Sequence, residues 1–324
     1  MSEEKIVFID MPTPESRKVI EDNLPPGFKL IFAEADTEEK AAAAVPEADY
    51  VLIWSAYLGT TAVSAARKAK LIQKVGEGTD RIDVATALRM GIPVAKTAGS
   101  NSTSVAEFAT LLILAAMRRL PEAYTGMLAG KWLKWELRRN SFELRGKQVG
   151  IVGLGKIGKM VANHMRGFSA PVVYYDPFRL PEAEETSLGV KYLPLDELLS
   201  TSDVVTLHVP LTSTTRGLIG RRELALMKPT AILVNTCRAA VVDEEALVEA
   251  LRARKIRGAG IDVFTQEPVP ANHPLLSLPN VVSSPHCAGA TEDAELEGIR
   301  HAYANIVRVS QGQPLDPRDL AVPA

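Results

Sequence analysis

Three ionisable residues in the second half of the chain each follow a short apolar run: Arg238 after residues 231–236, Glu267 after 258–264 and His286 after 281–284. Ligands of open α/β sheets bind beyond the carboxyl ends of the strands, so three such groups on successive strands could converge on one small molecule. Their chemistry is complementary. A guanidinium grips a carboxylate bidentately and polarises a carbonyl beside it. An imidazole exchanges a proton near neutral pH, and a neighbouring carboxylate fixes the ring and favours its charged form. The set suits reduction of a 2-keto acid, with a hydride to carbon and a proton to oxygen. Taken singly, each residue has a plainer explanation: a solvated loop arginine, a turn before Pro268, a structural histidine. His164, His208, His273 and His301 show no such company, and HExxH, CxxC and GxSxG are absent from the sequence.

A hydride needs a carrier, and Gly153-Leu154-Gly155-Lys156-Ile157-Gly158 offers a place for one. The motif follows an apolar run and opens a helical patch. In that context the first glycine makes a tight turn, the second admits pyrophosphate close to the backbone, and the third lets helix and strand pack. The helix N-terminus then turns unpaired N–H groups towards the phosphates. Asp176 ends the next apolar run, 18 residues beyond Gly158, where a carboxylate accepts ribose hydroxyls and repels a 2′-phosphate. The order of elements therefore predicts NAD rather than NADP. Residues 153–159 also satisfy GxxxxGK, but Met160 stands where a P-loop needs Ser or Thr for magnesium, which excludes that reading.

These residues need a scaffold, and the chain alternates between the periods of strand and helix. Strands are predicted at 6–10, 29–32, 50–54, 71–75 and 92–96, with helices at 61–70 and 82–90. Thr13-Pro14 reads as an N-cap and first-turn proline, and Gly91 as a helix stop. After a polar cluster at 99–104, Ser104 and Glu107 have capping-box spacing for an apolar helix reaching about Leu120. Strands are predicted again at 148–152, 172–176, 203–209, 231–236, 258–264 and 281–284, with helices at 243–255 and 294–311. The fold class is therefore α/β with parallel sheets.

Length and composition agree with this. The chain has 324 residues, room for about two domains. It is 46% hydrophobic and 23% charged, with a formal net charge of -2, which gives no support to nucleic-acid or membrane-surface binding. Two cysteines form no disulfide framework, and the acidic start is not a signal peptide, so a reducing, cytoplasmic setting is expected. The longest apolar run, 108–117, is too short to span a bilayer. No metal site is expected.

Over essentially its whole length the sequence resembles the D-isomer-specific 2-hydroxyacid dehydrogenases. GEGTDRID at 76–83, SVAEFATLLILAAMRR at 104–119, ELRGKQVGIVGLGKIG at 143–158 and HVPLTSTTRGLIG at 208–220 carry the resemblance. NTCRAAVVDEEALVEAL at 235–251, GAGIDVFTQEP at 258–268 and SPHCAGATEDA at 284–294 complete it. It implies a Rossmann NAD-binding domain, residues 101–290, inserted into a flavodoxin-like substrate-binding domain, residues 1–100 and 291–324. It implies that Arg238 binds substrate carboxylate, that His286 is the acid/base and that Glu267 pairs with His286. Gly153, Gly155, Lys156, Ile157, Gly158, Asp176, Val209, Thr236, Cys237, Asp262, His286 and Gly289 would surround NAD, and Ser55, Gly76, Glu77 and Gly78 would join Arg238 around substrate. A homodimer is implied through the helix after Ser104 and an arm carrying Trp132 and Trp135. Formate-type relatives carry glutamine at the position of Glu267, and an NAD-sensing corepressor on the same fold is the alternative to an enzyme.

The chain departs from that pattern at Glu77, an acid where the family has a small or apolar residue. Cys237 and Cys287 adjoin Arg238 and His286, so thiol modification there is expected to block the site. The loop 55–60, Glu77 and Arg138-Arg139 are expected to select the substrate.

Overall fold

The computed structural model describes residues 3–322. These form two compact units: residues up to Asn101 together with those from Thr291 onward, and Ser102–Ala290. Among the described residues no helix is long and apolar enough to cross a membrane.

The first unit holds five strands, β1 (Glu4–Phe8), β2 (Phe28–Phe32), β3 (Tyr50–Ile53), β4 (Leu71–Lys74) and β5 (Val94–Lys96). All pair in parallel in the order β2-β1-β3-β4-β5. The central strand β3 reads Tyr-Val-Leu-Ile and is buried throughout, as expected where helices cover both faces of a parallel sheet. One face packs Val51, Ile53 and Ile72 against Ala62, Val63 and Ala87. The other packs Tyr50, Leu52 and Leu71 against Ile299, Tyr303 and Ile306 of the helix Glu292–Ser310. Each such fully buried aliphatic side chain contributes roughly 1.5–3 kcal/mol relative to exposure.

The second unit holds seven parallel strands: β6 (Val149–Val152), β7 (Val172–Tyr175), β8 (Val190–Tyr192), β9 (Val204–Leu207), β10 (Ile232–Asn235), β11 (Gly258–Ile261) and β12 (Val281–Ser283). Their order is β12-β11-β10-β9-β6-β7-β8, so the strand order reverses between β6 and β9. A crevice at that switch point is where an α/β sheet takes its ligand.

The structure corrects several local expectations. The helix predicted at 61–70 ends at Ala65: Ala66, with ψ 47°, leaves the helical region, and by Lys70 the backbone N–H bonds Asp49 O on the way into β4. The long apolar helix is Ser102–Arg118, so Ser104 and Glu107 lie inside it and form no capping box. It breaks at Arg119, whose φ is 53°, before a second helix, Leu120–Leu128. Pro121 has no N–H for the carbonyl of Met117, which instead accepts Phe142 N–H at 3.0 Å. The short edge strand β8 and the arm helix Lys134–Arg138 carry too few apolar residues to reveal a period.

Candidate active site

Arg238, Glu267 and His286 follow β10, β11 and β12, three adjacent strands of one sheet, at their carboxyl ends. His286 Nδ1 and Glu267 Oε2 lie 2.8 Å apart. An ionised carboxylate only accepts, so Nδ1 carries the hydrogen and Nε2 is left to give or take a proton. The second oxygen of Glu267 accepts Phe264 N–H at 3.1 Å, which holds the carboxylate at both ends.

His286 itself sits at φ 51°, a left-handed conformation costing a non-glycine residue about 1–2 kcal/mol. Asp262, fully buried just after β11, over-determines that turn. Its carbonyl accepts His286 N–H at 2.7 Å. One carboxylate oxygen accepts Ser284 Oγ at 2.6 Å and Cys287 N–H at 2.9 Å, and the other accepts Ala288 N–H at 2.9 Å. Asn235, buried at the end of β10, does the same for the arginine: its amide donates to Arg238 O at 3.0 Å and its oxygen accepts Cys237 N–H at 3.0 Å. Arg238 donates from its guanidinium to Cys237 O at 2.7 Å. Sequence reasoning missed Asn235 altogether. It read Asp262 through the family resemblance alone, because a buried Asx residue at a strand end has no spacing signature.

The glycine loop follows β6 at the switch point and has the shape a dinucleotide requires. Gly153 has φ +92°, and a Cβ there would lie 2.6 Å from His208 O; a Cβ on Gly158 would lie 2.3 Å from Gly153 O. Gly155 faces open space instead, and the helix Lys156–Gly167 that it opens has no side-chain cap. This combination leaves backbone room for pyrophosphate and a positive helix end to hold it. Two buried polar atoms at neighbouring strand ends, His208 Nδ1 and Thr236 Oγ1, have no partner among the described residues. Burial pushes His208 down to about 4, so its imidazole is neutral there. The loop, Thr236 and Asp176 therefore fit NAD as a set. Asp176 accepts Leu154 N–H at 2.8 Å and Phe178 N–H at 2.9 Å, which aims the carboxylate at the loop. The nearby Arg179 is committed to Glu185 at 2.8 and 3.1 Å rather than presented to a 2′-phosphate. Val209 is buried beside Gly153, while Ile157 packs partly into the core. Lys156 begins the helix and Gly289 follows the Asp262-braced turn.

The two thiols are less reactive than their position suggests. Burial pushes Cys237 up to about 11 and raises Cys287 as well. Each stays protonated at neutral pH, which disfavours the expected thiol block.

In the first unit, Ser55 lies in a loop braced by Asp10, which accepts Ser55 Oγ at 2.9 Å and Ala56 N–H at 2.7 Å. Gly76 has φ +107° and donates its N–H to Thr97 Oγ1 at 2.7 Å, with Gly78 next but one along the same loop. Glu77 is paired with Lys96 and accepts Gly99 N–H at 2.9 Å. Its charge is therefore compensated within the unit.

The comparisons with known proteins point one way. Residues 110–288 match the model of the D-isomer specific 2-hydroxyacid dehydrogenase NAD binding domain. A glyoxylate reductase of Korarchaeum cryptofilum is 43% identical over 77% of this chain and 75% of its own length. A D-3-phosphoglycerate dehydrogenase of Archaeoglobus fulgidus is 37% identical over 93% of this chain, which spans only 57% of that relative. Among solved structures, an NAD-dependent formate dehydrogenase from Staphylococcus aureus in complex with NAD aligns with a TM-score of 0.87 at 29% identity, covering 99% of both chains.

Proposed function

Because the chain belongs to the D-isomer-specific 2-hydroxyacid dehydrogenase family, we propose that it is an NAD-dependent enzyme interconverting a 2-keto acid and its D-2-hydroxy acid. The observation that carries this reading is the 2.8 Å pair of His286 and Glu267, which with Arg238 follows three adjacent strands of the sheet that also bears the glycine loop. Bound NADH supplies a hydride to the carbonyl carbon. Arg238 binds the substrate carboxylate and polarises the carbonyl, and His286 Nε2 delivers the proton to its oxygen. Glu267 holds the imidazole in the tautomer that leaves Nε2 outward and stabilises the ring while it is charged. The carboxylate at 267 supports proton-coupled chemistry over the formate-type reaction, which transfers no proton. Substrate binding is assigned to the unit of residues 1–100 and 291–324, with Ser55, Gly76, Glu77 and Gly78 proposed as substrate contacts in addition to Arg238. A panel of small 2-keto acids, among them glyoxylate and hydroxypyruvate, followed by loss of NADH absorbance tests the reading. Turnover of at least one is expected; NADH binding with none reduced would favour a nucleotide-sensing protein.

We assign the ribose hydroxyls of the cofactor to Asp176. Replacing Asp176 with alanine removes the repulsion of a 2′-phosphate, and the preference for NADH over NADPH in kcat/KM is expected to fall by about tenfold or more, the equivalent of one lost charge-assisted hydrogen bond. An unchanged ratio removes that role from Asp176.

A homodimer and a cytoplasmic setting complete the proposal. Trp132 and Trp135 are 72% and 61% exposed, and Leu120, Tyr124, Met127 and Leu128 are exposed beside them in sequence. Trp135 is met by Lys134 and Arg138 of its own arm, yet both tryptophans keep most of their surface exposed, which supports an interface between two copies. Sedimentation at micromolar concentration is expected to give a two-chain species, and a monomer overturns the interface. Both cysteines are free, as in a reducing compartment, and cell fractionation reads the location.

A further inference from the structure

The loop that carries Glu267 is tied down at two separate points by one carboxylate. Glu244 is the first residue of the helix Glu244–Arg252, with Asp243 as N-cap. Its Oε1 accepts Thr265 Oγ1 at 2.7 Å and meets His273 Nε2 at 3.0 Å, while Oε2 accepts Thr265 N–H at 3.3 Å. His273 Nδ1 accepts Leu275 N–H at 3.3 Å, so Nε2 bears the hydrogen and donates it to Glu244. The ring packs edge-on against Phe264, centroids 5.4 Å apart. Phe264 is the residue whose N–H holds Glu267 Oε1. A glutamate in a first helical turn commonly serves only the helix dipole. This one commits both oxygens to residues 265 and 273, the two ends of the segment that presents Glu267 to His286.

We propose that Glu244 is a positioning residue for the acid/base pair, clamping both ends of the 265–273 loop so that Glu267 stays against His286. The inference rests on the assignment of Glu267 and His286 above. Glu244 acts through these two residues and touches neither substrate nor cofactor. Its network runs from the Glu244 carboxylate through Thr265 and His273 to Phe264, and from the Phe264 amide to Glu267.

Two readouts on the full-length protein test the clamp. The first is a double-mutant cycle on kcat with Glu244→Ala and Glu267→Ala, NADH affinity being measured alongside. Glu244→Ala alone is expected to lower kcat about tenfold, a fraction of what acid/base catalysis supplies, with NADH affinity unchanged. In the Glu267→Ala background the same change is expected to cost nothing further. Glu244→Gln keeps an oxygen for Thr265 and His273 and is expected to restore most of kcat. Additive losses mean that Glu244 merely stabilises the fold, and they overturn the proposal. The second readout is amide hydrogen exchange, which needs no activity. Exchange at the Phe264 amide is expected to quicken about tenfold or more in Glu244→Ala, with the Cys287 and Ala288 amides held by Asp262 unchanged. Unchanged exchange at Phe264 overturns the clamp whatever the kinetics. If the wild-type protein reduces no 2-keto acid, the functional reading fails while hydrogen exchange still decides the clamp. Should Glu244→Ala fail to fold, Thr265→Val removes one donor to the same carboxylate and carries both comparisons at smaller amplitude.

Discussion

His286→Ala is expected to lower kcat for 2-keto acid reduction by about three orders of magnitude, within the range that a positioned general acid contributes and equivalent to roughly 4 kcal/mol of transition-state stabilisation. The affinity for NADH should stay within about twofold. The imidazole is held by Glu267 on one side and by the Asp262-braced backbone on the other, so its loss leaves the turn itself intact. KM is expected to change little, because the proton is needed in the transition state and not in the bound ground state. A variant with near-normal turnover would falsify the acid/base assignment; a variant that no longer binds NADH would mean that the residue is structural.

Arg238→Ala has the second large effect, and its kinetic signature differs. A bidentate guanidinium–carboxylate pair comprises two charge-assisted bonds of about 1.5–3 kcal/mol each, so kcat/KM should fall by about two to four orders of magnitude. Here KM rises together with the fall in kcat, because the same contact binds the ground state and polarises the carbonyl. Arg238→Lys keeps the charge but loses the planar fork, and only partial recovery is expected. Unaltered KM in both variants would move the substrate carboxylate to other donors. The guanidinium is braced through Cys237 O and the turn beneath it through Asn235, so Asn235→Ala is a natural companion when the arginine's orientation is probed.

Much of this site was legible in the sequence because its parts are local. A parallel strand buried on both faces is a continuous apolar run, so Val149–Val152 and Ile232–Asn235 were found to within a residue or two at each end, together with the polar residues that follow them. The glycine loop carries its geometry in three residues, and Gly153, Gly155 and Gly158 each meet the surroundings that their spacing implies. What was not legible is long-range. Asp262 braces residues 284–288, Asp10 braces residues 54–56, and Glu244 reaches Thr265 and His273, all through contacts more than twenty residues apart. No period or spacing encodes such bonds. His273 read as an isolated loop histidine for this reason. The second helix, Leu120–Leu128, was missed for a different reason: it starts at Leu120-Pro121 directly after the turn at Arg119, so no loop separates it from the first.

Glu77 shows where a family pattern and a particular chain part. An acid beside Gly76 and Gly78 is unfavourable for an anionic substrate as a bare charge, but Lys96 and the Gly99 amide take it up. The loop therefore carries no uncompensated negative charge at Glu77.

The most direct test of the account runs the reaction in the oxidative direction. Matched D- and L-2-hydroxy acids are offered separately with NAD, and formation of NADH is followed by absorbance. The account predicts NADH formation with the D-isomer of at least one acid, loss of that signal in His286→Ala, and none with the L-isomers. NADH formation with L-isomers, or D-isomer oxidation that survives loss of His286, would contradict it.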